Sequence, residues 1–220
     1  MRRAILPVLA LSSLSFSHEP IFGLGPGTIF KGGVGIETEY ERLDRDEGVA
    51  TEVLYGITED LSVTLRGLQT ARELSETAIR LKYRVWKRYM PGRIDALSLI
   101  GGVRRDLEGK VTYAIAGVAA GMESRRWYLF ADVRTAGKLF VDGAVGIRPW
   151  LTEYLKPDLV LLTELNYEQK GDFRAFFMSP AFFFTYRNVA VKGGVQIPAY
   201  RSDRASHVRE RVSFSVEIHF

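Results

Sequence analysis

The chain ends in a segment, Val208 to Phe220, in which apolar and polar residues change places at every step. Val212, Phe214, Val216, Ile218 and Phe220 form one row, and Arg211, Ser213, Ser215, Glu217 and His219 form the other. Side chains on a strand point alternately to opposite faces, so this segment is a strand with one apolar and one polar face. Its polar face is too charged for a core buried on both sides. A chain that repeats this pattern is therefore restricted to a sheet with unlike faces.

The pattern repeats. Val34, Ile36, Thr38 and Tyr40 alternate with Gly35, Glu37, Glu39 and Glu41. Val49, Thr51, Val53, Tyr55 and Ile57 form the next apolar row, leaving Ala50, Glu52 and Gly56 opposite, and a turn at Thr58-Glu59-Asp60 leads into Leu61, Val63 and Leu65. Ile79, Leu81, Tyr83 and Val85 oppose Ala78, Arg80, Lys82, Arg84 and Trp86, with a turn marked by Pro91-Gly92. The stretch from Ile94 to Arg104 is apolar or small on both faces and its orientation is ambiguous. Val111, Tyr113 and Ile115 read as the next apolar row. Trp127, Leu129, Ala131 and Val133 oppose Arg126, Tyr128, Phe130, Asp132 and Arg134; a further strand runs from Leu139 to Ile147. Leu159, Leu161, Thr163, Leu165 and Tyr167 oppose Val160, Leu162, Glu164 and Asn166. Strands over about Phe176 to Tyr186, and over Val189 to Ile197 with Lys192 and Gln196 on the polar face, precede the last.

This count predicts an all-β chain of about twelve antiparallel strands, most near the ~9–11 residues that cross a bilayer at a tilt. The fold class is an antiparallel transmembrane β-barrel closed by the C-terminal strand ending in Phe220. With both ends on one side, the loops of the other side fall near 43–48, 70–75, 105–109, 135–138, 168–174 and 199–207. Aromatics near strand ends (Tyr40, Tyr55, Trp150, Tyr154, Tyr167, Tyr186) suit the interfacial girdles of such barrels. A soluble sandwich or lipocalin-like barrel, with the apolar face inward, has the same periodicity.

The N-terminus favours the membrane. Arg2 and Arg3 precede an apolar stretch from Ala4 to Phe16, and Ser15-Phe16-Ser17 is a small-x-small cleavage site. The expected division is a signal peptide at 1–17, an arm or plug at 18–32 rich in Gly and Pro, and an outer-membrane barrel at 33–220. The Phe-terminated last strand, Val208–Phe220, looks like the signal read by the barrel-assembly machinery of bacterial outer membranes. The formal charge of +4 falls to +2 without Arg2 and Arg3, giving no reason to expect nucleic acid. With no cysteine, disulfides and thiol chemistry are excluded.

Several stretches also resemble one family. HEPIFGLGPGTIFKGG at 18–33, YGITEDLSV at 55–63, RPWLTEYLKPDLVLLTELNYE at 148–168 and VKGGVQIPAY at 191–200 are similar to outer-membrane proteins labelled as MetA-pathway phenol-degradation or transporter-like. The resemblance implies an outer-membrane barrel passing small organic or metal-related solutes, with outer-membrane lipid around it. It implies no active-site residues.

The candidate chemistry lies on the polar rows. Glu37, Glu39, Glu52, Arg80, Lys82, Arg84, Arg126, Asp132, Arg134, Glu164, Asn166, Lys192 and Gln196 are candidate lumen-lining residues, with Asp142, Arg148 and Arg211 facing the same interior. Such charges either select solutes electrostatically or pair across a narrow lumen. Phe130, Phe140, Tyr128 and Trp86 are expected to crowd the passage. A closed structural barrel without flux is the alternative to a narrow channel. No cofactor is implied and no metal site is expected; His18 at the mature terminus is a weak copper candidate. His207 with Ser202, Asp203 and Ser206 is the nearest approach to a hydrolase set, in a loop where such residues are common.

Overall fold

A computed structural model describes residues 23–43, 46–70, 74–149, 158–186, 189–202 and 211–220. They form twelve strands: β1 (Val34–Leu43), β2 (Asp46–Gly56), β3 (Leu61–Thr70), β4 (Leu74–Met90), β5 (Arg93–Asp106), β6 (Val111–Ser124), β7 (Trp127–Thr135), β8 (Leu139–Ile147), β9 (Asp158–Lys170), β10 (Phe173–Tyr186), β11 (Val189–Arg201) and β12 (Arg211–His219). Each pairs antiparallel with its sequence neighbour. β1 and β12 then pair from Gly35↔His219 to Leu43↔Arg211 and close the barrel. Closure leaves no sheet edge for another chain to pair with. Beyond the last pair, Phe220 N–H donates to Val34 O (2.8 Å), so the start of β1 and the end of β12 meet at one rim, the terminal rim.

The barrel is inside-out relative to a soluble one. Ile36, Leu65, Ile79, Leu129, Leu165 and Phe214 stand exposed on the outer surface. Asp132, Glu164, Asn166, Lys192, Gln196 and Glu217 are buried on the inner one. Tyr55, Tyr83, Trp127 and Tyr186 lie exposed toward the terminal rim, and Tyr40 and Tyr200 toward the opposite rim. A soluble barrel would gain nothing from such an outer surface, whereas lipid-facing strands require it. Trp150 and Tyr154 lie outside the described residues.

Two strand faces differ from the alternation. On β6 the inward side chains are Ile115 and Ala119, with Tyr113 half-buried, while Ala116, Val118 and Ala120 face out. Small residues on both faces hide that phase. On β4 a bulge between Arg84 and Trp86 puts Val85 and Trp86 both on the outer surface, so Trp86 does not crowd the lumen. A bulge inserts one residue and reverses the phase of the strand beyond it. On β5, Ser98 and Ile100 face in and Leu99 and Val103 face out. The β4–β5 turn at Pro91-Gly92 uses a left-handed glycine (φ 72°), a conformation that side-chain-bearing residues adopt at a cost.

Candidate permeation lumen

The inner wall is built from the polar rows, and its charges are joined across neighbouring strands. On β1, β2, β3 and β4, Glu52 accepts from Arg66 (2.9 Å) and Arg80, and Arg66 also reaches Glu39 (3.6 Å). Ser213 on β12 donates to Glu39. Lys192 on β11 lies between Glu37 (3.0 Å) and Glu217 (3.1 Å), and Ser215 donates to the same Glu37 carboxylate (2.8 Å). Toward the opposite rim, Glu168 takes Lys138 (2.6 Å) and Arg211 (3.0 Å), while Glu76 pairs with Arg104 (2.8 Å). Burial holds the Lys138 ammonium, in the β7–β8 turn, below the ordinary lysine range against the pull of Glu168. At the terminal rim Arg148 joins Glu123 and Asp158 (3.0 Å to the latter). Such desolvated charges are tolerable because they are paired.

On β7 and β8, Asp132 and Asp142 stand opposite one another, with Arg134 bonded to both (2.5 and 3.0 Å). Asn166 on β9 donates to Asp142 (3.0 Å) and accepts from Ser179 on β10 (2.8 Å) and Gln196 on β11 (3.2 Å). Asn166 and Gln196 therefore meet through the strand between them. Lys192 does not join them, being held by Glu37 and Glu217. Glu164 is fully buried beside Ala144 and Ser179, and Lys82 is buried on the inner face of β4. Arg84 bonds Asp60 (2.9 Å) and the Glu59 carbonyl (2.5 Å), fixing the β2–β3 turn. Arg126 does not line the lumen: it is exposed in the β6–β7 turn. Arg66, Glu76 and Glu168 were not among the expected lining residues, although extending the inward parity of their strands reaches them; Arg104 was not either, because β5 is apolar or small on both faces.

The rest of the inner wall is apolar. Tyr128, Phe130, Ala144, Val160, Leu162 and Phe183 form one cluster, in which the Tyr128 and Phe183 rings meet edge to face at 5.7 Å. Ala78, Ile100, Ile115, Ala119 and Ala136 form another with Leu24, flanked by Phe140. Arg134 and Lys138 both stack on the Phe140 ring (4.7 and 4.6 Å).

Leu24 belongs to the segment before β1, which runs inside the barrel. Its base is tied to the end of β2, where Gly32 N–H donates to Gly56 O (2.8 Å) and Gly56 N–H to Gly33 O (3.0 Å). Further in, Thr28 Oγ1 donates to Glu59 O (3.1 Å), Ser98 Oγ donates to Pro26 O (2.7 Å), and Leu24 N–H donates to Asp132 Oδ1 (3.2 Å). Residues 23–29 are all buried. The wall is shaped to admit them: a Cβ on Gly56 would lie 1.9 Å from Phe30 O, and one on Gly121 2.9 Å from the Pro26 ring. His18 and the loop residues Asp203, Ser206 and His207 lie outside the described residues. No group of three His, Cys, Asp or Glu poised for a metal occurs among the described residues.

No family model and no curated protein matches this chain. Solved structures do. The KdgM porin in complex with disordered oligogalacturonate superposes with a TM-score of 0.64 at 10% identity, over 84% of this chain and 99% of that one. The NanC porin superposes with a TM-score of 0.56 at 8% identity, over 85% and 98%. The fold is that of outer-membrane porins. Identities this low carry the fold alone.

Proposed function

We propose that this chain is an outer-membrane channel for small solutes, with a narrow lumen part-filled by its own N-terminal arm. The observation that carries this reading is the inverted polarity of the closed barrel: an apolar outer belt around an inner wall of charged ladders. Aromatic residues at both rims fit the two headgroup levels. The terminal rim then faces the periplasm, and Val208–Phe220 is the segment for the barrel-assembly machinery to read.

The wall bears on what would pass. KdgM has been seen with an oligogalacturonate, a polyanion. The inner wall of this chain sets carboxylates against cations, as where Glu52 meets Arg66 and Arg80, and where Lys192 lies between Glu37 and Glu217. A lumen of that kind gives weak discrimination by charge and strong discrimination by size. We therefore assign the channel to small neutral or zwitterionic solutes.

A closed barrel without flux is the second reading, favoured by the depth of burial of Glu164, Asn166, Ser179 and Gln196. Planar-bilayer recording and liposome swelling decide between them. The channel reading expects small conductance steps, a reversal potential near zero in a salt gradient, and larger steps when the arm is unseated by Leu24→Asp. Folded, inserted protein that passes neither ions nor solutes, with or without that substitution, would establish the closed barrel.

A further inference from the structure

We propose that the seat of the arm, on the wall made by β5, β6 and β7, is a solute-binding site for short peptides, and that residues 23–28 are its built-in occupant. The inference rests on the channel reading for its role in passage, but the site itself stands on the geometry of the wall.

The seat recognises a peptide by its backbone and its side chains together. Asp132 Oδ1 accepts the N–H of residue 24, and Ser98 Oγ donates to the carbonyl of residue 26. With the arm seated, both wall groups are almost wholly buried, at 1% and 0% exposure. A buried polar group without a partner costs about 1–3 kcal/mol, so an empty seat calls for a ligand that offers an N–H and a carbonyl in this order, or for water. Leu24 fills the space among Ile100, Ile115 and Ala119. Pro26 is fully buried against Gly121, which has no side chain to obstruct it. Gly23 lies flat on Phe130, where a Cβ would come within 2.7 Å of the ring. The pattern accepted is therefore a small residue, an aliphatic one, then a compact ring two places further on.

Asp132 can supply this contact because its second oxygen is already engaged by Arg134, which Asp142 also holds. The carboxylate is positioned before the ligand arrives. An amide N–H donated to a carboxylate is a charge-assisted bond, and a protonated peptide amine would gain more. Anionic solutes gain nothing there. This wall thus gives the channel a preference that its balanced charges elsewhere do not.

Because the occupant is tethered, a free peptide has to compete with an intramolecular partner at high effective concentration. The test exploits this with the full chain. Leu24→Asp sets a second carboxylate beside Asp132 and in an apolar pocket, unseating the arm while leaving the wall intact. A fluorophore-labelled peptide of residues 23–28 (Gly-Leu-Gly-Pro-Gly-Thr) is titrated into detergent-solubilised barrel and followed by anisotropy. The expected result is saturable binding to Leu24→Asp at least tenfold tighter than to the unaltered chain. That binding should weaken tenfold or more when Asp132→Asn is added and severalfold when Ser98→Ala is added, and should fail for a peptide with Asp in place of Leu. Gly56→Ala, which displaces the arm at its base, provides a second unseated form. Equal binding to seated and unseated chains, or no saturable binding to either unseated form when both are folded, would overturn the site. Flux through the same preparations separates the two proposals. Binding without flux in any form ends the channel reading and leaves the site, whereas flux without binding ends the site and leaves the channel.

Discussion

Two sectors of the inner wall meet the same physical demand by different means. From β11 through β12 and β1 to β4, the central buried charges are paired within the wall: Lys192 with Glu37 and Glu217, and Glu52 with Arg66 and Arg80. On β5 to β7 the wall is largely apolar, and the polar groups Ser98 and Asp132 turn to the arm. The charge pairs of the first sector close without anything in the lumen, whereas the contacts of Ser98 and Asp132 in the second need something lying on them. A wall satisfied by its own strands contributes to the stability of the barrel. A wall satisfied by a tethered segment gives the barrel a state it can leave.

The largest effect expected from breaking this division is on the self-satisfied side. Lys192→Met removes the cation from between Glu37 and Glu217 and leaves two carboxylates in a desolvated place. Breaking one member out of a buried ionic group costs about 3–5 kcal/mol. Urea unfolding of detergent- or liposome-inserted protein should show that loss, with the arm still seated. Adding Glu37→Gln should restore part of it, since one of the stranded charges is then gone. An unfolding midpoint unchanged by Lys192→Met would show that this sector is hydrated and not held by its pairs.

The corresponding break on the other side is Gly56→Ala. Its Cβ would meet the Phe30 carbonyl at 1.9 Å, a clash with backbone that no rotamer change relieves. The arm must shift at its base, and Thr28, Pro26 and Leu24 are drawn from their partners. The expected outcome reverses the first: a severalfold rise in conductance with little change in unfolding, because the barrel's own strand pairing is untouched. A fall in stability comparable to that of Lys192→Met would instead make the arm part of the core.

Much of this was legible in the sequence, for reasons that differ by residue. The inward rows of β1, β2, β7 and β9 can be read because charged or polar residues at one parity (Glu37 and Glu39, Glu52, Asp132 and Arg134, Glu164 and Asn166) fix the phase of each strand. β6 cannot be read this way, because Ala114, Ala116 and Ala120 on one face resemble Gly117, Ala119 and Gly121 on the other. Trp86 is misplaced by any strict alternation, because a bulge of one residue leaves no composition signal. The charge partners are also hidden. Lys192 reaches Glu37 across the whole width of β12, and Gln196 reaches Asn166 across β10, so strand order and stagger have to be known first. The path of the arm is the least legible part: Gly and Pro exclude regular structure, but they do not say which surface the segment follows. The clue lies in its partners, in glycines at 56 and 121 that look like ordinary strand glycines until the arm lies beside them.

The smallest expected effect divides the second sector itself. Ser98→Ala removes one hydroxyl from the seat and leaves the Pro26 carbonyl without its 2.7 Å donor, while Asp132 still holds Leu24 N–H. A hydrogen bond of this kind contributes about 0.5–1.5 kcal/mol net. Loss of about 1.4 kcal/mol would shift the balance between seated and unseated arm by about tenfold, so the seated state should remain the commoner one. Single-channel records of Ser98→Ala should then show brief openings to the level that Gly56→Ala holds, at the same conductance and with lower occupancy. Unfolding should be unaltered within about 1 kcal/mol, because no strand pairing and no ion pair is touched. A new conductance level, different from that of Gly56→Ala, would mean that Ser98 acts on the passage directly and not through the arm. Shared levels with different occupancies would place the hydroxyl, the glycine and the arm on one equilibrium, separate from the charged wall opposite.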